Sequence, residues 1–530
     1  MTRQTQIVDP ADSPDPFASF PARLQRTARA QPDHTAIVYG RRRIAWAAFH
    51  ARVRLIAGRL QAAGIGADDK VAMLAHNCPE YLELFAATLH AGACAVPLSS
   101  MATGAALEAM LRDSDARVLL VSAKGRDALG THIDNVDAIA PAHRLALDFE
   151  APGWRAFEDW VAESPGEIEP AAVTPDRHFN LIYSSGTTGT PKGILHDHRM
   201  RARQLYRLAA YGYDDTAITL VSTPLYSNTT LVSALPALNG GGTLVLMPKF
   251  DERGFLELAE RERVTHAMLV PVQYQRLLAH PDFDDFDLSS FRLKSSTSAP
   301  LRRSVMEDAM KRWPGRLVEV YGLTEGGVST MLDANAFPDK LDTVGRPAEG
   351  VELNILDEQG RECAAGETGE IVGRATAMMA GYYNRPDLTE QMIWHDAHGA
   401  MFFKTGDLGR LDADGFLTIL DRKKDMIISG GFNIYASDLE AVLLQHPGVA
   451  DAAVIGIPSE RWGETPLGLV VRRANDNTAP AVICEWANTQ LGHSQRLAGV
   501  ELRDELPRSS IGKILKRELR EPYLDEAGAD

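Results

Sequence analysis

The chain has 530 residues, of which 45% are apolar and 24% are charged, so it can form several compact units and is not intrinsically disordered. Its 55 basic and 71 acidic residues give a net charge of −16, which argues against a general binder of nucleic acid or of anionic membranes. If the protein handles an anionic substrate, it must do so through a few local cations.

The cysteines and the apolar stretches bear on the compartment. Four cysteines lie far apart with no Cys-x-x-Cys pair, which argues against a disulfide scaffold or a structural zinc site and fits a reducing cytoplasm. Residues 1–16 lack the basic start and apolar run of a signal peptide. The most apolar stretch, residues 81–98, contains Glu83 and Gly92 and predicts a buried helix followed by a short strand. We therefore expect a cytoplasmic protein without a membrane span.

Helical and strand-like segments alternate through much of the chain. Apolar spacing predicts a helix over residues 54–63 that ends at Gly64, followed by a strand over residues 71–75. Further strands are predicted over residues 116–122, 218–223 and 243–247. This alternation predicts an α/β architecture with largely parallel sheets.

The pattern changes after about residue 340, where short glycine-bounded strands predict a β-rich subdomain. Residues 412–415, Asp-Ala-Asp-Gly, predict a hairpin turn. After the basic run 422–424, Ser437 and Glu440 have the spacing of a capping box, and residues 450–457 predict a strand. We predict a large domain over residues 1–423 and a small α+β domain over residues 425–530.

Residues 179–193 predict a phosphate-binding loop. An apolar strand leads into a run of serine, glycine and threonine, and then into Pro191-Lys192-Gly193. Glycines let backbone N–H groups turn toward an anion, and a lysine adds positive charge. The spacing is not that of a Walker loop, and Gly64-Ile65-Gly66 lacks the third glycine of a Rossmann fingerprint. A flexible surface linker is the structural alternative.

Four further motifs follow this loop: residues 321–325, 403–407, 421–431 and 507–513. In content and order, the five segments resemble the adenylate-forming superfamily, which includes acyl-CoA synthetases, adenylation domains of peptide synthetases and luciferases. The resemblance implies that ATP and a carboxylic acid give an acyl-adenylate and pyrophosphate, after which a thiol displaces AMP. It also implies that the small C-terminal domain is mobile and hinges near Lys424.

The resemblance further implies roles for individual residues. Lys513 is the adenylation lysine, Thr324 contacts the α-phosphate and Glu325 holds Mg2+. Coenzyme A passes a channel formed by Ser429, Gly430 and Gly431. ATP and AMP are bound by a larger set: Ser184, Ser185, Gly186, Thr187, Thr188, Gly189, Lys192, Ser298, Ala299, Pro300, Tyr321, Gly322, Asp407 and Arg422.

The acyl pocket is expected around Tyr226, Ser227 and Thr230. Ser227 stands where many acyl- and aryl-CoA ligases have histidine and where amino-acid-activating domains usually have aspartate. Serine provides no counter-charge for a buried ammonium group, so an amino-acid substrate is disfavoured. His196-Asp197-His198 suggests no third metal ligand nearby.

The leading hypothesis is an ATP-dependent carboxylate–CoA ligase that acts on a fatty or aromatic acid and uses Mg2+. Two alternatives stay open: a free-standing adenylation enzyme that loads a carrier protein, and a non-catalytic nucleotide-binding protein of the same fold. The family leads us to expect a monomer or a homodimer.

Overall fold

The computed structural model of the protein describes residues 17–184, 192–429, 432–459, 461–492, 495–509 and 512–525. Its helices and strands form mixed α/β sheets, which confirms the predicted fold class. Internal contacts divide the chain into two compact units. Unit 1 comprises residues 1–342, 347–352 and 374–403, and unit 2 comprises residues 343–346, 353–373 and 404–530.

The α-helices are, in chain order, α1 (Phe20–Ala30), α2 (Trp46–Ala62), α3 (Pro79–His90), α4 (Gly104–Asp113), α5 (Ala123–Leu129), α6 (Phe157–Ala162), α7 (His198–Ala209), α8 (Asn228–Gly240), α9 (Glu252–Arg261), α10 (Pro271–Leu278), α11 (Arg303–Arg312), α12 (Pro386–Gln391), α13 (Ala436–Leu443), α14 (Pro480–Gln490) and α15 (Lys516–Asp525). None of these described helices is long and apolar enough to cross a bilayer.

The first strands are β1 (Thr35–Tyr39), β2 (Arg42–Ala45), β3 (Lys70–Leu74), β4 (Cys94–Pro97), β5 (Ala116–Val121), β6 (Arg144–Ala146), β7 (Arg155–Ala156), β8 (His178–Ser184), β9 (Lys192–Asp197), β10 (Ile218–Val221), β11 (Thr243–Leu246), β12 (His266–Leu269), β13 (Leu293–Thr297) and β14 (Arg316–Gly322). The others are β15 (Ser329–Asp333), β16 (Arg346–Pro347), β17 (Val351–Leu356), β18 (Gly369–Ala375), β19 (Gly381–Tyr382), β20 (Ile393–His395), β21 (Met401–Leu411), β22 (Leu417–Arg422), β23 (Ile427–Ser429), β24 (Phe432–Ile434), β25 (Val449–Ser459), β26 (Gly463–Arg472) and β27 (Gly499–Leu502).

The predicted elements of the N-terminal half are confirmed in type and order, but the helix predicted over residues 54–63 begins earlier, at Trp46. The apolar stretch 81–98 forms α3 and β4, and α2 ends before Gly64, which has the left-handed φ of 75° expected after a helix. The strands predicted at residues 71–75, 116–122, 218–223 and 243–247 correspond to β3, β5, β10 and β11.

A nine-stranded sheet has the order β16-β15-β14-β13-β12-β10-β11-β1-β2. Its strands β14, β13, β12, β10, β11 and β1 run parallel. The chain goes from β10 to β11 on one side and then returns to β12 on the other. In parallel α/β sheets, ligands bind beyond the carboxyl ends of strands at such a reversal. This edge is therefore the expected place for a substrate pocket.

A second sheet of unit 1 has the order β19-β9-β8-β4-β3-β5-β6-β7. Strands β8 and β9 pair antiparallel and flank residues 185–191, with Ser184 opposite Lys192. The short strand β19 adds to the far side of β9, and Tyr382 lies opposite Ile194. The segment predicted to bind phosphate is thus framed on both sides by paired backbone.

Unit 2 has its own small core. Strands β24-β23-β26-β25 form one sheet with β27 paired to β26, and α13 and α14 pack on it through Leu439, Val454 and Ile483. The predicted hairpin turn at residues 412–415 is confirmed. It joins β21 to β22, and the Asp412 carboxylate accepts hydrogen bonds from the backbone N–H groups of Asp414 and Phe416.

The capping-box prediction at Ser437 and Glu440 is wrong. Helix α13 begins at Ala436, so Ser437 lies within its first turn, and its hydroxyl donates to the Leu420 carbonyl. The Glu440 carboxylate accepts from the Val454 N–H at 2.8 Å and pairs with Lys516 at 2.8 Å. The side chains of Ser437 and Glu440 therefore bond to residues distant in sequence and do not cap the helix. The predicted boundary at residues 423–425 stays a prediction, although unit 2 also takes in residues 404–424.

Candidate functional site

Lys192 stands at the start of β9, directly after the predicted phosphate loop. Residues 185–191 lie outside the described residues, and with them the predicted nucleotide contacts of Ser185, Gly186, Thr187, Thr188 and Gly189. The Ser184 backbone pairs with Lys192, whose ammonium lies 5.8 Å from the ring centre of Tyr382. An aromatic face at this distance favours a cation and directs it to this side of the strand.

Tyr382 also contacts the predicted metal ligand. Its hydroxyl donates to Oε1 of Glu325 at 2.8 Å. Burial and the neighbouring Glu325 carboxylate raise the pKa of Tyr382, so the phenol stays a proton donor at neutral pH. One tyrosine therefore contacts both the lysine of the first motif and the glutamate of the second. Sequence reasoning missed Tyr382 because 57 positions separate it from Glu325.

The turn that carries Glu325 is held by backbone contacts. The Met379 N–H donates to the Glu325 carbonyl at 2.7 Å, and Gly326 forms a bridge with Met378. Gly326 has φ 73°, and a Cβ there would lie 2.4 Å from the Ala377 carbonyl oxygen. Only glycine fits this close approach, which fixes the direction in which Glu325 projects.

Thr324 is fixed through its carbonyl oxygen. Nε2 of His196, which is fully buried on β9, donates to that oxygen at 2.7 Å. His196 and Lys192 lie on the same face of β9 because they are four residues apart on a strand. The strand after the phosphate loop thus reaches the second motif at two points, Thr324 and the neighbourhood of Glu325.

The two predicted adenine walls lie on neighbouring strands. Thr297 pairs with Val320 in the parallel register of β13 and β14, which places Ser298-Ala299-Pro300 beside Tyr321 and Gly322. Ser298 adopts a left-handed φ of 76°, which is uncommon for serine, and its hydroxyl lies 2.8 Å from the Thr229 hydroxyl. The structure therefore brings these predicted residues to the same sheet edge.

The residues predicted for the acyl pocket lie at the reversal of the sheet, after β10. Ser227 caps α8, and its hydroxyl accepts from the Thr229 N–H at 3.3 Å. The Thr230 hydroxyl lies 2.6 Å from the Pro224 carbonyl oxygen and is buried, whereas Tyr226 is half-buried. Ser227 and Thr230 therefore shape the loop that forms this edge.

Asn77 joins this loop to the second sheet, and sequence reasoning did not single it out. Its buried amide donates to the carbonyl oxygens of Thr223 and Met247 at 2.9 and 3.1 Å. Its carbonyl oxygen accepts from the Leu225 N–H at 2.8 Å. One side chain thus fixes the segments that follow β10 and β11.

In unit 2, Asp407 and Arg422 form an ion pair across strands β21 and β22. The Arg422 Nε lies 2.7 Å from Asp407 Oδ1, and the aspartate side chain is only 7% exposed. The Thr405 hydroxyl accepts from the Asp407 N–H at 3.0 Å and donates to the Ile371 carbonyl. A buried and oriented carboxylate of this kind is suited to accept hydrogen bonds from ribose hydroxyls.

Lys513 lies between Gly512 and Ile514, and Ile514 forms a β-bridge with Arg508. Its residue surface is exposed, but dehydration around the ammonium and the nearby charge of Arg422 lower the pKa of Lys513 to about 8, with Asp407 acting against them. Unit 2 therefore gathers Lys513, Arg422 and Asp407 within electrostatic range. With a pKa of about 8, Lys513 is still mostly protonated at neutral pH and can offer positive charge to an anion.

The remaining predicted residues of unit 2 lie on the connection after β22. Lys424 is exposed, while its neighbour Lys423 pairs with Glu370 at 2.8 Å. Ser429 ends β23, where its backbone pairs with Phe432 and Gly463. Gly430 and Gly431, predicted to form the coenzyme A channel, lie outside the described residues.

The chain belongs to the AMP-binding enzyme family, which its sequence matches over residues 24–383, with the AMP-binding enzyme C-terminal domain over residues 438–513. This confirms the resemblance to the adenylate-forming acyl-CoA synthetases. At the level of the family, the reaction is ATP-dependent activation of a carboxylic acid and its ligation to coenzyme A.

Individual relatives support this membership. The chain is 34% identical to a feruloyl-CoA synthase of Amycolatopsis sp, covering 94% of this chain and 98% of the relative. It is 30% identical to the fatty acid–(acyl-carrier-protein) ligase ScoC of Streptomyces coeruleorubidus, covering 94% and 95%. The crystal structure of ATP-bound MatB from Rhodopseudomonas palustris matches with a TM-score of 0.84 and 29% identity, covering 96% of this chain and 99% of that one.

Proposed function

We propose that this protein is a carboxylate–CoA ligase that activates a fatty or aromatic acid as its acyl-adenylate. The observation that carries the proposal is the contact of Tyr382 with both Lys192 and Glu325, since it joins the first two motifs at one sheet edge. Two anions must meet in the first half-reaction, so the site needs local cations in an acidic chain.

In the first half-reaction, an oxygen of the acid forms a bond to the α-phosphorus of ATP, and pyrophosphate leaves. We assign the phosphate contacts to Lys192 and the Thr324 hydroxyl, the adenine walls to Tyr321 and Ser298, and the ribose to Asp407. Lys513 supplies the charge that offsets the developing negative charge on the phosphate oxygens. In the second half-reaction, the thiol sulfur attacks the acyl carbonyl, and AMP leaves.

Glu325 fits a Mg2+ site of the kind that uses one carboxylate together with nucleotide phosphates. Tyr382 donates to Oε1, and no other described residue donates a hydrogen bond to the Glu325 carboxylate, so this carboxylate could also bind a hard cation. Bound Mg2+ would neutralise phosphate charge and orient the pyrophosphate leaving group. Tyr382 orients this carboxylate, and the Met379 N–H holds the Glu325 backbone through its carbonyl oxygen.

The acid is proposed to lack an α-ammonium group. The hydroxyl of Ser227 caps α8, and residues 226–230 contain no carboxylate that could pair with a buried ammonium. Among the similar proteins, one is named for an aromatic acid and another for a fatty acid, which supports this substrate class. We further propose that Lys424 is the hinge, that Ser429 borders the thiol channel and that the enzyme works in the cytoplasm.

The test is pyrophosphate release with a panel of aromatic and straight-chain acids, each with coenzyme A, with a separate carrier protein and with neither. Pyrophosphate release with an acid and formation of a coenzyme A thioester support the proposal. Acyl transfer to the carrier protein alone would favour the free-standing adenylation enzyme. Nucleotide binding without activation of any acid would favour the non-catalytic alternative.

Tyr382→Phe is expected to raise the Mg2+ concentration needed for half-maximal pyrophosphate release by about three- to tenfold, since a hydrogen bond to a charged group contributes about 1.5–3 kcal/mol, only part of which is lost. The measurement is a Mg2+ titration at saturating ATP. Tyr383→Phe is the control, because the neighbouring hydroxyl accepts from Lys70 at 2.8 Å and does not contact Glu325. An equal shift in both variants would contradict the role given to Tyr382.

A further inference from the structure

Arg201 on α7 is fully buried and surrounded by neutral partners. Its Nε donates to the Asn180 side-chain oxygen at 2.9 Å, and Nη1 donates to Gln204 at 2.7 Å. Its Nη2 donates to Nδ1 of His196 at 2.8 Å and to the Asn228 side-chain oxygen at 2.9 Å. The guanidinium also lies 5.9 Å from the ring centre of Phe179.

Among the described residues, no carboxylate forms an ion pair with Arg201, although most arginines of the chain have one. Burial lowers the pKa of Arg201 to about 9, which leaves it protonated at neutral pH. A buried charge without a counter-ion is costly even when its hydrogen bonds are satisfied. Its field extends further in the interior than it would in water.

His196 carries this arrangement to the second motif. Its Nδ1 accepts from Arg201 and from the Asn180 amide at 3.1 Å, so the proton is on Nε2, which donates to the Thr324 carbonyl. Burial and the charge of Arg201 lower the pKa of His196 well below its usual value, which keeps the ring neutral. His196 is therefore the single side chain that links Arg201 to Thr324, the residue assigned to the α-phosphate.

We propose that Arg201 is a positioning residue that holds Thr324 through His196, and that the phosphate of the bound nucleotide supplies the negative charge that Arg201 otherwise lacks. The inference rests on the proposed function for the placement of phosphate at Thr324. It predicts that Arg201 favours binding of the phosphate and not of the nucleoside.

The test supplies the missing counter-charge within the protein. Asn228→Asp replaces the side-chain amide by a carboxylate and keeps an oxygen that can accept from Arg201 Nη2. The new negative charge lies in the first turn of α8, where the helix dipole tolerates it. Gln204→Glu does the same at Nη1. By calorimetry, each variant should bind AMP about tenfold more weakly, equivalent to about 1.4 kcal/mol, and bind adenosine within about twofold of the wild type.

Asn335→Asp is the matched control, because it makes the same change of charge at an exposed position near the opposite end of β14, where it accepts from the Leu317 N–H. It should leave the affinities for AMP and adenosine unchanged. Wild-type affinity for AMP in either Asn228→Asp or Gln204→Glu would overturn the inference, as would equal losses of AMP and adenosine.

The outcomes separate this inference from the proposed function. A wild-type protein that binds AMP but activates no acid would refute the ligase while leaving the AMP comparison intact. A wild-type ligase whose Asn228→Asp variant binds AMP normally would refute the role of Arg201 alone.

Discussion

Lys513→Ala is expected to slow formation of the acyl-adenylate by about a hundred- to a thousandfold, the usual effect of removing one group that stabilises transition-state charge. Thioester formation from supplied acyl-adenylate should change by less than about threefold, because no phosphorus centre is attacked in that half-reaction. The two rates are measured separately, as pyrophosphate release and as consumption of supplied acyl-adenylate with coenzyme A.

Arg517→Ala provides the control for charge. Arg517 lies on α15 in an exposed ion pair with Glu521, and such surface pairs contribute little. Both half-reactions should proceed at the wild-type rate in this variant. Equal losses in the two half-reactions of Lys513→Ala would contradict the assignment of Lys513 to adenylation.

The pH profile gives Lys513 a second readout. Its lowered pKa of about 8 means that the charged form is lost as the pH rises through that value. The kcat/KM of adenylation should therefore fall above about pH 8, since this parameter reports groups of the free enzyme. In Lys513→Arg the side chain remains charged, so any remaining activity should lack this alkaline decline.

Asp407→Asn is expected to lower kcat/KM for ATP by about ten- to a hundredfold, because hydrogen bonds to a charged acceptor contribute about 1.5–3 kcal/mol. The substitution also removes the counter-charge of Arg422, which lies 2.7 Å from Asp407. Comparison of ATP with 2′,3′-dideoxy-ATP tests the assigned contact. The analogue should be a poor substrate for the wild type, and the variant should discriminate much less between the two.

Asp414→Asn is the control for Asp407, since it makes the same substitution at the exposed tip of the β21–β22 hairpin. It should retain the wild-type preference for ATP over the dideoxy analogue. If Asp407→Asn keeps that preference in full, Asp407 does not bind the ribose, and its pairing with Arg422 is purely structural.

The site residues that could be predicted from sequence are those that belong to a short motif of residues with a recognisable chemical role. The run from Ser184 to Lys192 predicts a phosphate loop after a strand. The structure has β8 before it, and it adds β9 directly after it, which was not predicted. Alternating helices and strands also predict the parallel sheets, because hydrophobic periodicity is a local property. The roles given to Glu325, Asp407 and Lys513 stay predictions until they are measured.

Partners distant in sequence could not be predicted in this way. No sequence motif marks Tyr382, Arg201 or Asn77. Their importance follows from their contacts with Glu325, with His196 and with the loop after β10, respectively. The error at Ser437 has the same cause. A local helix-start pattern competed with the Leu420 carbonyl, a tertiary acceptor 17 positions away, and the tertiary contact prevailed.

The contacts of Tyr382 and Tyr383, at the end of β19, depend on the number of residues before them more than on the identity of those residues. Tyr382 ends β19 and its hydroxyl donates to Glu325, whereas Tyr383, the first residue after the strand, accepts a hydrogen bond from Lys70. A single-codon insertion or deletion between Met378, which pairs with Gly326, and Tyr382 would shift Tyr382 from its place opposite Ile194 and turn its side chain to the other face of the sheet. Many substitutions in that interval can leave the register intact, but a frame-preserving indel of one residue cannot.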